Sequence, residues 1–256
     1  ERGDALAEKI YEAFRPNNTF AEYNSPTYGG VDFFALAFWR ALPVTPEMKK
    51  MGQYMEAELW RDVGRFYHAG LQNLCGPYDR SYGMDMRRYV AITGICIALA
   101  TDEAKAMPDP SAEAGKSGEF AYLPLLAALG VQMPEKVLPQ LRNFAGPRQF
   151  DRVISEKPAK RVAQARLEDA WMVGLEHLEG KTPKRGDQYH PLTMHWRAPN
   201  GDIGWLRLIP GSQVNVTMSH TRILITPLAS GKKSNQGKIV FEICAPGLTA
   251  DTITES

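Results

Sequence analysis

The chain has 256 residues, of which 44% are hydrophobic and 23% are charged. This composition is typical of a folded protein with a sizeable core and excludes a disordered chain. The chain has 30 basic and 29 acidic residues and a net charge of +1. A nucleic-acid-binding protein usually carries a large excess of positive charge, which this chain does not have. No apolar run reaches the roughly 18 residues of a membrane span. We therefore expect neither a nucleic-acid partner nor a membrane partner.

Apolar residues recur every three or four positions through the first part of the chain, which is the spacing of amphipathic helices. The longest predicted helix begins after Thr45 with Pro46 at its first position and ends near Gly70. Its apolar stripe should face other helices and consists of Met48, Met51, Met55, Leu59, Val63 and Phe66. The other predicted helices are Asp4–Phe14, Gly30–Leu42, Met84–Thr101, Glu119–Leu129 and Pro134–Phe144.

The pattern changes near residue 147, where β-branched and alternating runs replace the helical spacing. The predicted strands are Arg161–Val173, His190–Trp196, Gly204–Ile209, Gln213–Met218, Thr221–Thr226 and Lys238–Ile243. The segment from Arg161 to Leu178 also fits a helix, because it is rich in alanine and leucine. The sequence therefore predicts an α+β protein with a helical domain at 1–146 and a β-rich domain at 147–256.

Two segments of the helical part carry more polar and aromatic residues than packing requires. The first is a loop that contains Tyr23, Asn24 and Tyr28 and leads into an apolar helix. Its amide and hydroxyl groups could hold a polar ligand, or Asn24 could simply cap a turn in an ordered connection.

The second segment precedes the predicted helix at Met84 and contains Tyr78, Asp79, Arg80, Tyr82 and Asp85. The planar fork of an arginine suits a carboxylate, and a tyrosine can move a proton when a cation lies near it. In the alternative interpretation, Arg80 forms an ion pair with Asp79 or Asp85, or Asp85 stabilises the start of a helix.

His68 lies at the end of the long predicted helix, where it could act as a general acid or base or could interact with the helix C-terminus. His190 and His195 would face opposite sides of one strand, so we expect no shared metal. Three cysteines are too few for a disulfide framework or a zinc site. Nucleotide-binding and metalloprotease motifs are missing from the sequence, so we expect no cofactor and no metal.

The stretches that carry a family resemblance are Glu22-Tyr-Asn-Ser-Pro-Thr-Tyr28 and Tyr78-Asp-Arg-Ser-Tyr82, followed by His190–Trp196 and Gly204–Arg207. In these stretches the chain resembles the heparinase II/III-like polysaccharide lyases. These proteins combine an (α/α) toroid with a β-sandwich. The resemblance implies helical hairpins of a toroid followed by an antiparallel β-sandwich-like part. A complete toroid has more helices than the sequence predicts, so the expected partners include another portion of the same protein or a second copy.

The resemblance also implies β-elimination on an acidic oligo- or polysaccharide. In that chemistry Asn24 or Arg80 neutralises a uronate carboxylate, and His68 or Tyr82 transfers the proton. Sugar contacts would come from Tyr23, Tyr28, Tyr78, Asp79 and Asp85.

Three alternatives remain open at this point. A glycoside hydrolase would use two carboxyl groups drawn from Glu22, Asp32, Asp79 and Asp85. A non-catalytic carbohydrate-binding protein would use the same tyrosines and arginine without turnover. An α-toroid enzyme acting on a small apolar substrate, such as a terpene, fits the polar loops less well. The chain starts with Glu1 rather than Met, as expected of a cleaved signal peptide, a processed product or a trimmed chain, and two glycosylation sequons slightly favour secretion.

Overall fold

The computed structural model describes residues 2–111, 117–180, 186, 188–209, 214–219, 222–227 and 239–247. Within these residues the chain is an α+β protein, with helices first and an antiparallel sheet second. The α-helices are α1 (Arg2–Phe14), α2 (Tyr28–Ala41), α3 (Pro46–Phe66), α4 (Ile92–Thr101), α5 (Leu123–Leu129) and α6 (Leu138–Arg142). Short 3₁₀ turns lie at Ala104–Ala106 and Ser117–Tyr122.

The strands form one large antiparallel sheet and two small ones. They are β1 (Tyr67–His68), β2 (Asn73–Leu74), β3 (Arg148–Ser155), β4 (Lys160–Leu167), β5 (Trp171–Glu179), β6 (Leu192–Arg197), β7 (Ile203–Leu208), β8 (Val214–Ser219), β9 (Arg222–Pro227) and β10 (Phe241–Cys244). The large sheet has the order β10-β7-β6-β5-β4-β3, while β1 pairs with β2 and β8 pairs with β9.

The two faces of the large sheet contribute to different cores. On one face Ala163, Ala165, Leu167 and Met172 belong to the main hydrophobic core together with the helices. On the other face, residues of β5, β6 and β7 pack against the hairpin of β8 and β9 in a second apolar cluster. The alternation of side chains along each strand produces this division.

Two glycines lie where parts of the backbone pack closely: one between helices α2 and α4, and the other between β5 and the loop after β2. A Cβ atom at Gly30 in α2 would lie 2.5 Å from Ile92 in α4. A Cβ atom at Gly174 in β5 would lie 1.9 Å from the carbonyl oxygen of Gly76. The second approach lets the loop after β2 lie directly on the sheet, and this is the loop that contains Arg80 and Tyr82.

The long helix α3 starts as predicted, because the Thr45 hydroxyl accepts a hydrogen bond from the Met48 amide at 3.2 Å. It ends at Phe66 rather than near Gly70, since Tyr67 and His68 pair with β2. Met55 and Phe66 are fully buried, whereas Leu59 is partly buried.

The prediction that a helix begins at Met84 was wrong, and α4 begins at Ile92. The segment before it is held by side chains instead of a helical ladder. The Asn73 side-chain oxygen accepts the Met86 amide at 2.8 Å, and the backbone of Val90 has a positive φ of 58°. A helix cannot continue through such a residue.

The single predicted strand Arg161–Val173 is in fact part of a hairpin of β4 and β5, which turns at residues 168–170. The helical alternative for this segment was therefore wrong, and the sequence analysis missed β3 altogether. The predicted strands that start at Gln213, Thr221 and Lys238 correspond to β8, β9 and β10, although those three starting residues lie outside the described ones.

The change from helices to strands falls between Arg142 and Arg148. The main core nevertheless contains residues from both sides of this point. The division into two domains at residues 146 and 147 stays a prediction. A toroid of helix pairs is not seen among the described helices.

Candidate functional site

Two loops that the sequence analysis selected lie against each other. Asn24 adopts a positive φ of 50°, and its side-chain Nδ2 donates hydrogen bonds to the carbonyl oxygens of Cys75 at 2.7 Å and Pro77 at 2.9 Å. The Ser25 hydroxyl donates to the carbonyl oxygen of Arg80 at 2.6 Å. Asn24 therefore holds the loop before α2 against the loop after β2, as in an ordered connection, although it bonds the other loop rather than capping a turn of its own.

Partly exposed side chains from these two loops and from Gln188 form what we call the tyrosine–arginine cluster, which consists of Glu22, Tyr28, Arg80, Tyr82 and Gln188. The hydroxyls of Tyr28 and Tyr82 lie 2.8 Å apart. The guanidinium carbon of Arg80 lies 4.5 Å from the centre of the Tyr28 ring, which is a cation–π contact. Arg80 also donates to Glu22 and to the Gln188 side chain, both at 2.9 Å.

The electrostatics of this cluster follow from these contacts. The hydrogen bond that the Tyr28 hydroxyl shares with Tyr82 raises the pKa of Tyr28 above its usual value, so Tyr28 keeps its proton at neutral pH. The hydrogen bond to Glu22 raises the pKa of Arg80, which stays charged. The cluster thus combines a permanent cation with two hydroxyls that share one hydrogen bond.

Asp79 lies in a buried ion pair and is not accessible to a ligand in solution. Its side chain is buried and accepts two hydrogen bonds from Nη2 of Arg161, at 2.7 Å and 2.6 Å. Arg161 also binds Glu176 on β5, at 2.8 Å and 2.9 Å. This network lies between the loop and the sheet, and the predicted contact of Asp79 with substrate is not supported by it.

Tyr23 and Tyr78 lie in the main core and are not exposed to a ligand in solution. The Tyr78 hydroxyl donates to the carbonyl oxygen of Leu74, and burial raises its pKa well above the usual value. The Tyr23 ring packs edge-on against Phe66, and burial also raises its pKa. Its hydroxyl has no hydrogen-bond partner within the described part of the chain.

His68 is fully buried, and both of its ring nitrogens are engaged. Its Nδ1 accepts the Leu71 amide at 3.1 Å, so Nε2 carries the proton that is shared with the carbonyl oxygen of Glu168 at 2.8 Å. The ring stacks on Phe144 with centres 4.0 Å apart, and burial lowers its pKa. These contacts include no member of the tyrosine–arginine cluster, which argues against His68 as the proton-transfer group.

Asp85 lies in a different polar cleft of about 290 Å³, which it shares with Arg87, Arg88 and Arg197. Its Oδ1 accepts the Arg87 amide at 3.0 Å. Asp85 therefore organises the turn before α4, and its predicted contact with sugar would require a ligand in this second cleft.

A small cavity next to the cluster contains a carboxyl group, Asp32, whose pKa is raised. Glu22, Asp32, Asp62 and the buried Tyr23 all contribute to its wall. Its volume is about 40 Å³, which is room for about three water molecules. Asp32 has no hydrogen-bond or ion-pair partner within the described residues, and burial together with Glu22 raises its pKa to about 7. The sequence analysis named Asp32 only as an alternative carboxyl group.

His190 and His195 do not face opposite sides as expected, since β6 begins only at Leu192. Their Nε2 atoms lie 3.4 Å from the carbonyl oxygen of Ser81 and 2.8 Å from that of Met84, respectively. Both rings are buried and reach towards the same loop. Among the residues that the structure describes, no group of three His, Cys, Asp or Glu side chains is arranged to hold a metal ion.

The groups that sequence reasoning missed are Gln188, Arg161 and Glu176. Gln188 binds Arg80 across 108 positions of sequence and Arg161 binds Asp79 across 82, while Glu176 binds Arg161 from 15 positions away on the neighbouring strand. A local pattern carries no signal for such distant pairings. The only sequence indication was the density of charged and aromatic residues between Tyr78 and Asp85.

In the described part of the chain, no helix has the length and hydropathy that a membrane crossing needs. No curated protein and no solved structure matches the chain. A family model described as "Domain of unknown function (DUF8769)" matches residues 1–131, a span that contains both loops of the tyrosine–arginine cluster. Because this match covers just over half of the 256 residues, the chain belongs to the DUF8769 family.

Proposed function

We propose that the chain acts on an acidic oligo- or polysaccharide as a polysaccharide lyase, with the tyrosine–arginine cluster as its reaction site. The single observation that supports this proposal is the 2.8 Å contact between the hydroxyls of Tyr28 and Tyr82 beside the guanidinium of Arg80. Elimination on a uronate requires a cation for the carboxylate, a base and an acid. The cluster contains groups suited to all three roles.

In the proposed reaction, Arg80 exchanges Glu22 for the carboxylate of the sugar, which makes the neighbouring C–H more acidic. Tyr82 acts as the base and takes the C5 proton. A double bond forms between C4 and C5 as the C4–O bond breaks, and Tyr28 gives its proton to the leaving oxygen. The hydrogen bond between the two hydroxyls then returns a proton from Tyr82 to Tyr28, so the site ends as it began.

The decisive experiment compares variants on a panel of uronate polymers, following the ultraviolet absorbance of the conjugated product. Tyr82→Phe should lower turnover by roughly 10²–10⁴-fold and leave binding largely intact. Arg80→Lys keeps the charge but loses the planar fork, so binding of the carboxylate should weaken. Tyr54→Phe is the matched control, because it removes a tyrosine hydroxyl that bonds Asn18 on the surface. Normal turnover in Tyr82→Phe would exclude this mechanism.

Asp32 favours a second candidate, a glycoside hydrolase. Hydrolysis needs one protonated and one ionised carboxyl group. Asp32, with a pKa of about 7, and Glu22 line the same cavity wall. A hydrolase would release reducing ends without the ultraviolet signal, and Asp32→Asn would abolish that release. A carbohydrate-binding protein would bind the polymer and give neither product.

We also propose the finer architecture that the lyase resemblance implies. The packing of the β8–β9 hairpin on the large sheet supports a β-sandwich-like part. The helices would belong to a toroid completed by another portion of the protein or by a second copy. Large apolar side chains exposed on the helical part, Leu6, Leu42, Val44 and Leu125, support such a contact. A protein that degrades such a polymer would act outside the cell, so secretion is part of this proposal.

A further inference from the structure

Another cleft, separate from the one that contains Asp85, lies beside the small cavity, between the end of α1 and the hairpin of β3 and β4. Its volume is about 360 Å³, within the range of small-molecule sites. The cleft and the cavity share Thr19 and Phe20 as lining residues. Glu22, which binds Arg80, follows Phe20 by two positions, so the two sites lie close together on one stretch of chain.

The floor of the cleft contains a charged side chain that is mostly buried and keeps a free donor atom. Arg161 is 8% exposed, and its Nε and Nη2 are held by Glu176 and Asp79. Its Nη1 makes none of the hydrogen bonds found among the described residues. Because Asp79 and Glu176 fix the guanidinium, this remaining donor is held in place before any ligand arrives.

The charge around Arg161 decides what class of ligand the cleft suits. Asp79 and Glu176 both lie within 2.9 Å of the guanidinium, so the positive charge of Arg161 is already balanced by carboxylates. A further anion would therefore find no unbalanced cation at Arg161. Lys157 also lines the cleft, but its side chain is exposed and its charge is screened by solvent. A neutral hydroxyl oxygen can accept the remaining N–H, because such a hydrogen bond needs no unbalanced positive charge.

The other lining residues provide apolar surface. Phe20, Ile154, Pro158 and Ala159 line the cleft beside Thr19 and Asn17. Apolar surface with a few placed polar groups is the usual composition of a site for a neutral organic ligand. A sugar unit has both the C–H faces and the hydroxyls that such a lining complements.

We propose that this cleft is a distal subsite that binds an uncharged sugar unit of the same glycan, with Arg161 Nη1 donating to a sugar hydroxyl. The proposal rests on the proposed function, in which the acidic unit of that glycan binds at Arg80. Thr19 and Glu22 are three residues apart and therefore at most about 11 Å apart along the chain, a distance that one oligosaccharide can span. The substrate class is thus a mixed glycan with acidic and neutral units.

The test is a titration of ¹⁵N-labelled protein with uncharged disaccharides, namely cellobiose, maltose and mannobiose, and separately with sodium glucuronate. At least one uncharged disaccharide should shift the amide signals of Thr19, Ala21 and Lys157, and glucuronate should leave them in place. Ala21 is exposed and lines the cleft, so Ala21→Trp should fill the cleft and abolish the response. Ala127→Trp is the matched control on the exposed surface of α5 and should respond like the original chain.

Ala13→Trp, at a second exposed position of the cleft wall, keeps the test valid if Ala21→Trp fails to fold. The proposal is overturned if no uncharged disaccharide shifts the cleft signals, or if the filled cleft responds as before. The signals of Tyr28, Arg80 and Tyr82 report on the lyase site in the same spectra. An uncharged sugar could shift the cleft signals while glucuronate leaves the signals of Tyr28, Arg80 and Tyr82 unchanged. That result would support the subsite and contradict the proposed lyase site.

Discussion

Nη2 of Arg161 lies 2.6 Å from Oδ2 of Asp79, and this buried ion pair connects the large sheet to the loop that carries Arg80. Glu176 binds the same guanidinium from the neighbouring strand. The position of the candidate site therefore depends on a network in which one cation joins two carboxylates.

The first prediction concerns this network. Arg161→Met leaves two buried carboxylates without their shared cation and should lower the free energy of unfolding by about 3–5 kcal/mol. Asp79→Asn should cost less, about 1–3 kcal/mol, because Glu176 continues to balance Arg161. Urea denaturation measures both. Arg15→Met removes an exposed arginine and should change stability by less than about 0.5 kcal/mol. Equal losses in the Arg161 and Asp79 variants would contradict this picture.

The second prediction concerns the close approach of the loop to the sheet. Gly174→Ala would place a Cβ atom 1.9 Å from the Gly76 carbonyl oxygen, and a backbone atom cannot move aside cheaply. We expect a loss of about 3 kcal/mol or more in thermal or urea unfolding. Gly118→Ala is the control, since its Cβ atom would meet nothing within 4 Å. A tolerated Gly174→Ala would show that the loop can lie further from β5.

The extent to which sequence predicted this fold depends on how local each signal is. The start of α3 follows from Thr45 and Pro46, whose capping chemistry involves neighbours in sequence. The end of the same helix depends on Asn73 and Leu74, which form β2, and a helical pattern does not contain that pairing. The segment before Ile92 is rich in apolar residues because it is buried, and this composition resembles that of a buried helix. Its conformation is instead set by side-chain contacts such as the one from Asn73.

The candidate site shows the same division. The density of polar and aromatic residues around Tyr28, Arg80 and Tyr82 is visible in the sequence, and the structure brings those three residues together. Residue type alone could not distinguish these partly exposed residues from Tyr78 and His68, which are buried in the core. The rings that cover these two side chains come from far away in sequence, namely His195 beside Tyr78 and Phe144 beside His68.

The third prediction concerns the response to acid. His195 is fully buried, its Nε2 lies 2.8 Å from the carbonyl oxygen of Met84, and burial lowers its pKa to about 4. Between this value and the usual pKa of about 6.5, the unfolded chain binds a proton that the folded chain does not. Stability should therefore be complete above about pH 6.5 and fall as the pH drops towards 4.

The test of this third prediction compares His195→Gln with the original chain in urea unfolding at about pH 7 and about pH 4.5. The original chain should lose about 2–3 kcal/mol more than the variant between these two conditions. His177→Gln changes a partly exposed ring and is the control. An identical loss in His195→Gln would mean that His195 contributes nothing to acid sensitivity and would direct attention to His190 and His68, whose pKa values burial also lowers.

The last prediction concerns Asp32 and has the opposite sign. Burial raises its pKa from 3.8 to about 7, so between these values the folded chain keeps a proton that the unfolded chain has lost. Stability should fall as the pH rises through this window, and the full cost should be present above about pH 7. The pKa difference corresponds to about 4 kcal/mol at most, and partial exposure to solvent reduces the expected cost to about 1–3 kcal/mol.

Asp32→Asn, which cannot ionise, should gain that amount at about pH 8 and nothing at about pH 3.5. Asp102→Asn is the control, because Asp102 is exposed and its left-handed backbone suits asparagine equally well. A gain that is the same at both pH values would mean that the charge of Asp32 is not its cause.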